Sequence, residues 1–120
     1  MKPECESQGK GIFLTRNVEK IINSDNTVAQ EYLKQPYLLQ GVKFDLRIYV
    51  LLYGINPLKI YLFKDGLARF ATKNYQIPNK QNIKDVFMHL TNYAINKLSP
   101  DYICCQTQDG SGDSHKRSLT

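Results

Sequence analysis

Lys43, Asp45 and Arg47 stand at alternate positions in the run Lys43-Phe44-Asp45-Leu46-Arg47. In a strand, alternate residues share a face, so two cations and one carboxylate would point the same way. One face of a central strand carrying that much charge is costly unless the charges meet partners or a ligand. The alternative is an edge strand with a solvated salt-bridge ladder. Arg69, between Ala68 and Phe70, poses the same choice: a solvated arginine on the open face of a hairpin, or a planar fork aimed at an anion. Gly9-Lys10-Gly11 would let backbone N–H groups approach a phosphate closely, with Lys10 adding charge. A Gly-x-Gly turn also serves a plain hairpin, and no Gly-Lys-Ser/Thr word of a Walker A loop is present. His89 lies beside an apolar stripe and reads as a satisfied core residue rather than a ligand.

The elements that must position these groups follow from the spacing of apolar residues and turn formers. Ile48 to Tyr53 is uncharged, β-branched and aromatic, and reads as a buried strand. Strands are also expected at Ile12–Thr15, Thr27–Leu33 and Leu58–Phe63. Lys64-Asp65-Gly66 has the composition of a hairpin turn, with Leu67–Ala71 as the returning strand. Val18–Ile22 suits a helical turn or two. Ser24-Asp25-Asn26 and Gln40-Gly41 read as turns. Ile83, Val86, Phe87, Leu90 and Ala94 fall at helical spacing. The sum is an α+β fold. Beyond Pro100 the periodicity ends. Residues 1–103 are therefore expected to form the folded part and 104–120 a polar, mobile tail.

The chain has 120 residues, 42% hydrophobic and 22% charged, which suits one domain with a core. A formal charge of +5 and a pI near 9.1 favour acidic partners: nucleic acid, anionic lipid, nucleotide phosphates or an acidic protein tail. A nucleic-acid-binding domain is the weakest of these, since the lysines are spread out and no RNA- or DNA-binding module word occurs. No apolar run approaches the roughly 20 residues that span a bilayer, so no membrane partner is expected. The start Met1-Lys2-Pro3-Glu4-Cys5 leads into no apolar segment, so no signal peptide is expected. Cys5, Cys104 and Cys105 lack CxxC spacing, which argues against zinc and for free thiols in a reducing compartment.

Six words in order resemble the tubulin tyrosine ligase-like family. They are Lys2-Pro3, Gln8-Gly9-Lys10-Gly11-Ile12, Gln30-Glu31-Tyr32, Lys43-Phe44-Asp45-Leu46-Arg47, Gly66-Leu67-Ala68-Arg69-Phe70-Ala71-Thr72 and His89-Leu90-Thr91-Asn92-Tyr93. They run from Lys2 to about Lys97, and the wording is most similar to the polyglutamylase branch. The resemblance implies a central part of an ATP-grasp domain, mostly antiparallel sheet with flanking helices. It implies a ligase that joins an amino acid to a protein carboxylate: ATP phosphorylates the acceptor, and the incoming amine attacks the acylphosphate. ATP with Mg2+, L-glutamate, acidic C-terminal tubulin tails and a cytoplasmic, microtubule-associated setting, including cilium or basal body, come with it. A glycine-adding relative, or an inactive truncated product that binds acidic tails, stands as the alternative.

By the same resemblance, Lys2 contacts the nucleotide phosphates, and Gln8 and Gly9 belong to the loop covering them. Gln30, Glu31, Tyr32 and Leu33 form the hinge that pairs with the adenine edge. Lys43, Phe44 and Asp45 lie at the nucleotide, with Lys43, Asp45 and Arg47 as the catalytic set. Thr91 and Asn92 reach the nucleotide. Arg69 pairs with a carboxylate of the glutamate, and Tyr93 and Ala94 line the amino-acid site, although position 94 is often serine in the family. The family's N-terminal lobe and magnesium ligands are expected outside this chain. Without them the chain alone is expected not to ligate glutamate.

Overall fold

The computed structural model describes residues 1–22, 26–104 and 114–119. Its spine is one long antiparallel hairpin, β4 (Val42–Ile55) against β5 (Leu58–Asn74). β3 (Leu38–Leu39) pairs with β4 on one side, and β6 (Lys116–Ser118) with β5 on the other, giving the order β3-β4-β5-β6. A second, two-stranded sheet joins β1 (Lys2–Pro3) to β2 (Thr27–Val28). Helices are short: α1 (Val18–Ile22), α2 (Val86–His89) and α3 (Tyr93–Asn96). The expected α+β fold dominated by antiparallel sheet is therefore present. None of these helices is long and apolar enough to cross a membrane.

Several local expectations need correction. Lys64-Asp65-Gly66 is not a turn but an irregularity inside β5. Ile48 pairs with Gly66 and Val50 with Leu62, so β5 accommodates extra residues there as a bulge. Gly66 is required by close approach: a Cβ there would lie 2.5 Å from the Arg47 carbonyl oxygen. The turn of the hairpin lies instead at Asn56-Pro57, after Gly54 at φ +77°. Ile12–Thr15 is not a strand, and Thr27–Leu33 is a strand only at Thr27–Val28. Pro3 has no N–H to extend the β1–β2 ladder, and the 12–15 segment is held by Phe13 exchanging backbone bonds with Met1 at 2.9 and 3.2 Å.

The helical spacing from Ile83 to Ala94 is divided between two short helices. Asn79 and Asn82 trade side-chain-to-backbone bonds of 2.7–3.1 Å that fold residues 79–82 into a turn instead. Asp85 caps α2 by accepting from the Phe87 N–H. α2 ends at Leu90, in extended backbone, and the Asn96 side-chain amide takes the Leu90 carbonyl at 2.7 Å.

Ile48–Tyr53 is a strand but not a buried one: its residues are 46–66% exposed. That half of the hairpin meets only the equally apolar, equally exposed start of β5 among the described residues. The core sits at the other end, on Ala68, Phe70, Ala71 and Met88. Asn96, 1% exposed, ties this core together. Its Oδ1 accepts from the Thr72 N–H at 3.0 Å and hydroxyl at 3.1 Å, and its Nδ2 donates to the Leu90 and Asn92 carbonyls. All four hydrogen-bonding sites of the amide are used. Asn96→Ala should cost on the order of 3 kcal/mol, since several buried partners lose their bonds at once. Denaturant unfolding of wild type and variant checks this; an unchanged midpoint would remove Asn96 from the fold's supports.

The expected tail is part of the sheet at its end: Lys116 pairs with Arg69 and Ser118 with Leu67. Residues 105–113, where the mobile stretch was expected, lie outside the described residues, as do Ser24, Asp25 and Cys105.

Candidate active site

A cavity of about 670 Å³ lies between the β1–β2 region and the base of β4. Its volume is that of a site for a small organic ligand. Six residues expected at a nucleotide line it: Lys2, Gln30, Glu31, Tyr32, Leu33 and Lys43. Residues 30–33 follow β2 after Ala29, where the chain has left the ladder, and line the wall without belonging to a strand. Cationic side chains outnumber acidic ones on the wall: Arg16 and Lys34 join Lys2 and Lys43, against Glu31.

Lys43 is the group with the most specific surroundings. Its Nζ donates to the Tyr32 hydroxyl at 3.3 Å and sits 4.5 Å from the centre of the Tyr32 ring. It has no salt bridge among the described residues, because the carboxylate two positions on is committed elsewhere. Arg69 Nε donates to Asp45 Oδ1 at 2.8 Å, and Arg69 Nη2 donates to Asp45 Oδ2. The pairing is a two-point fork between directly opposed residues of β4 and β5. Burial draws the Lys43 pKa below the usual lysine value, with the Asp45 charge only partly offsetting it. The hydrogen bond to Asp45, with its charge, pushes Arg69 up against a smaller opposing effect of burial.

The Tyr32 hydroxyl also lies 2.8 Å from Nδ1 of His89, whose Nε2 is 3.1 Å from the Asn82 carbonyl oxygen. His89 is 1% exposed with both ring nitrogens engaged, as expected of a satisfied core residue. Burial lowers its pKa first, and the Lys43 charge adds to this, against the Asn82 carbonyl and Asp85. Burial is also the main cause raising the Tyr32 phenol, so it stays protonated.

The other expected residues do not line this cavity. Gly9, at φ +86°, packs on α3 and its cap: a Cβ there would lie 2.6 Å from Ile95 Cδ1 and 2.8 Å from Asn92 Cγ. The expected phosphate loop, Gln8 and Gly9, thus meets the turn that holds Thr91 and Asn92. Phe44, half-buried, stacks on the core residue Phe70 with ring centres 5.8 Å apart. Arg47 is exposed on β4 and does not line the cavity. Tyr93 is 47% exposed, with the Lys97 and Lys116 ammoniums 5.5 and 5.7 Å from its ring centre, and Ala94 follows it in α3. Sequence reading gave the Tyr32 side chain, His89 and Asn96 no role at the site. Tyr32 and His89 are 57 residues apart, and no periodicity links them.

A family model described as the tubulin-tyrosine ligase family matches residues 1–120. A probable beta-tubulin polyglutamylase of Tetrahymena thermophila is 53% identical over 120 residues. That alignment covers 100% of this chain and 10% of the relative. Tubulin polyglutamylase TTLL6 of Mus musculus is 44% identical over 99% of this chain and 14% of its own length. Tubulin polyglutamylase TTLL7 of Homo sapiens is 47% identical over 99% and 13%.

Proposed function

Because this chain belongs to the tubulin-tyrosine ligase family, we propose that it forms the nucleotide- and amino-acid-binding centre of an ATP-dependent ligase adding glutamate to tubulin. Relatives at 44–53% identity carry the name tubulin polyglutamylase. The chain spans 10–14% of the length of those relatives, so activity, substrate and partner are proposed for the whole protein.

The observation that carries this reading is the Lys43 ammonium. It stands on the cavity wall with a phenol and a π face as partners, while Arg69 occupies both oxygens of Asp45. A half-buried cation left without a carboxylate is suited to an anion such as a phosphate. ATP fits the cavity in charge and size: Lys2 and Lys43 would face its phosphates, and the backbone of Gln30–Leu33 its base. When bound, it supplies the phosphoryl group that activates the acceptor carboxylate. Around it, Lys43 holds charge, the Tyr32 hydroxyl accepts from Lys43, and Asn96 donates to the carbonyl of Asn92 beside Gly9. The magnesium ligands are expected outside this chain. The acceptor would be the acidic C-terminal tails of tubulin, which places the protein on the cytoskeleton.

The test is incorporation of labelled glutamate into microtubules by the full-length protein. Incorporation should require ATP and vanish on tail-cleaved microtubules. Equal labelling without ATP, or of tail-less tubulin, would overturn the reading.

A further inference from the structure

We propose that His89 is a positioning residue that fixes the Lys43 ammonium at the cavity wall through the hydroxyl of Tyr32. The inference rests on the nucleotide reading only for its purpose; the positioning itself is geometric. The shortest bonds run from Tyr32 through His89 to the Asn82 carbonyl. A carbonyl oxygen only accepts, so Nε2 of His89, 3.1 Å from Asn82 O, carries the proton. In the neutral ring Nδ1 is then an acceptor, and the Tyr32 hydroxyl at 2.8 Å donates to it in competition with the Tyr75 hydroxyl, which also acts on Tyr32 and spends its own hydrogen on the Lys34 carbonyl oxygen. That spends the only hydrogen of the phenol and turns a lone pair of its oxygen toward Lys43 Nζ at 3.3 Å. His89 thereby decides that Tyr32 accepts from Lys43. The Tyr75 ring packs edge-on to His89 at 6.2 Å, and the Tyr32 ring at 5.3 Å, so the imidazole is confined on two sides. Lys43 gains a fixed place without a counter-charge, and its positive charge stays available to a ligand.

The first experiment needs no nucleotide. Acylation of Lys43 by an amine reagent is followed by mass spectrometry in the full-length protein, with exposed Lys20 as internal control. Tyr32→Phe keeps the ring and removes the hydroxyl. It should leave the ammonium less stabilised and more mobile, and speed Lys43 labelling severalfold with Lys20 unchanged. His89→Leu should do the same. The double variant should label no faster than either single, because all three break one chain. His89→Gln, which can still donate to Asn82 and accept from Tyr32, should label like wild type. In ATP-dependent turnover, the two disruptive variants should raise the KM for ATP about tenfold with a smaller change in kcat.

Labelling of Tyr32→Phe at the wild-type rate would overturn the proposal, as would rates that multiply in the double variant. If His89→Leu does not fold, His89→Asn, whose shorter amide cannot span from Asn82 to Tyr32, takes its place with the same expected rate. If labelling responds as stated but wild type shows no ATP dependence, the positioning stands and the nucleotide reading fails.

Discussion

Lys43→Ala in the full-length protein should lower ATP-dependent turnover by two to three orders of magnitude. Removing one group aimed at developing charge in a water-excluded site costs about 2.7–4 kcal/mol. Lys43 meets the structural condition for an effect of that size: it is partly buried, lines the cavity and has no carboxylate of its own. The fold should survive, because the phenol left behind keeps its bond to His89. Lys43→Arg separates charge from shape. Burial lowers the lysine pKa, so the ammonium in the free protein loses its proton at a lower pH than an exposed lysine does. The KM for ATP should accordingly begin to rise earlier on the alkaline side than ordinary lysine titration predicts. A guanidinium stays charged there, so Lys43→Arg should be weak at neutral pH yet lack that alkaline rise. Normal turnover by Lys43→Ala at saturating ATP would make Lys43 a solvated strand residue.

The sheet was legible in the sequence where its signal was local. β-branched and aromatic runs marked β4 and both halves of β5, and Gln40-Gly41 marked the turn between β3 and β4. Lys64-Asp65-Gly66 misled because a glycine serves a bulge as readily as a turn. What decides between them is the Arg47 carbonyl across the ladder, which local composition cannot register. The helical spacing beyond Lys80 gives only two short helices for a similar reason. The apolar positions suit a helix, but Asn79, Asn82 and Asn96 offer the backbone other partners. Burial of Ile48–Tyr53 depends on what packs against it, which no strand states about itself. At the site, the words carried by resemblance gathered Lys2, Gln30–Leu33 and Lys43 about one cavity. Alternation puts Arg47 with Lys43 and Asp45, and of these three only Lys43 lines the cavity. The partner that Arg69 finds in Asp45 is a pairing of register between β4 and β5, which neither strand encodes alone.

That pairing sets the second large effect. Arg69→Ala and Arg69→Lys should both impair ligation, with the lysine variant recovering little. A guanidinium meets a carboxylate with two parallel bonds, whereas an ammonium offers a point charge. Resemblance gives Arg69 a carboxylate of the incoming glutamate, but in the structure both of its bonds go to Asp45. The two side chains are 20% and 38% exposed, so solvent screens part of the loss. About 2 kcal/mol is therefore expected, in line with a charge-assisted hydrogen bond. The location of that loss separates two accounts. If Arg69 serves the glutamate, its removal raises the glutamate requirement and leaves ATP affinity nearly intact. If Arg69 serves Asp45, its removal frees a carboxylate beside Lys43, and that carboxylate competes with phosphate for the ammonium. ATP affinity then falls about tenfold or more, and adding Asp45→Asn in the Arg69→Ala background restores part of it. The geometry favours the second outcome for the free protein, because the Nε–Nη2 edge of the guanidinium is taken by Asp45. Titration of ATP and of glutamate against wild type, Arg69→Ala, Arg69→Lys and Arg69→Ala with Asp45→Asn distinguishes them. Intact ATP affinity in all three variants, with a raised glutamate requirement, would return Arg69 to the amino-acid substrate.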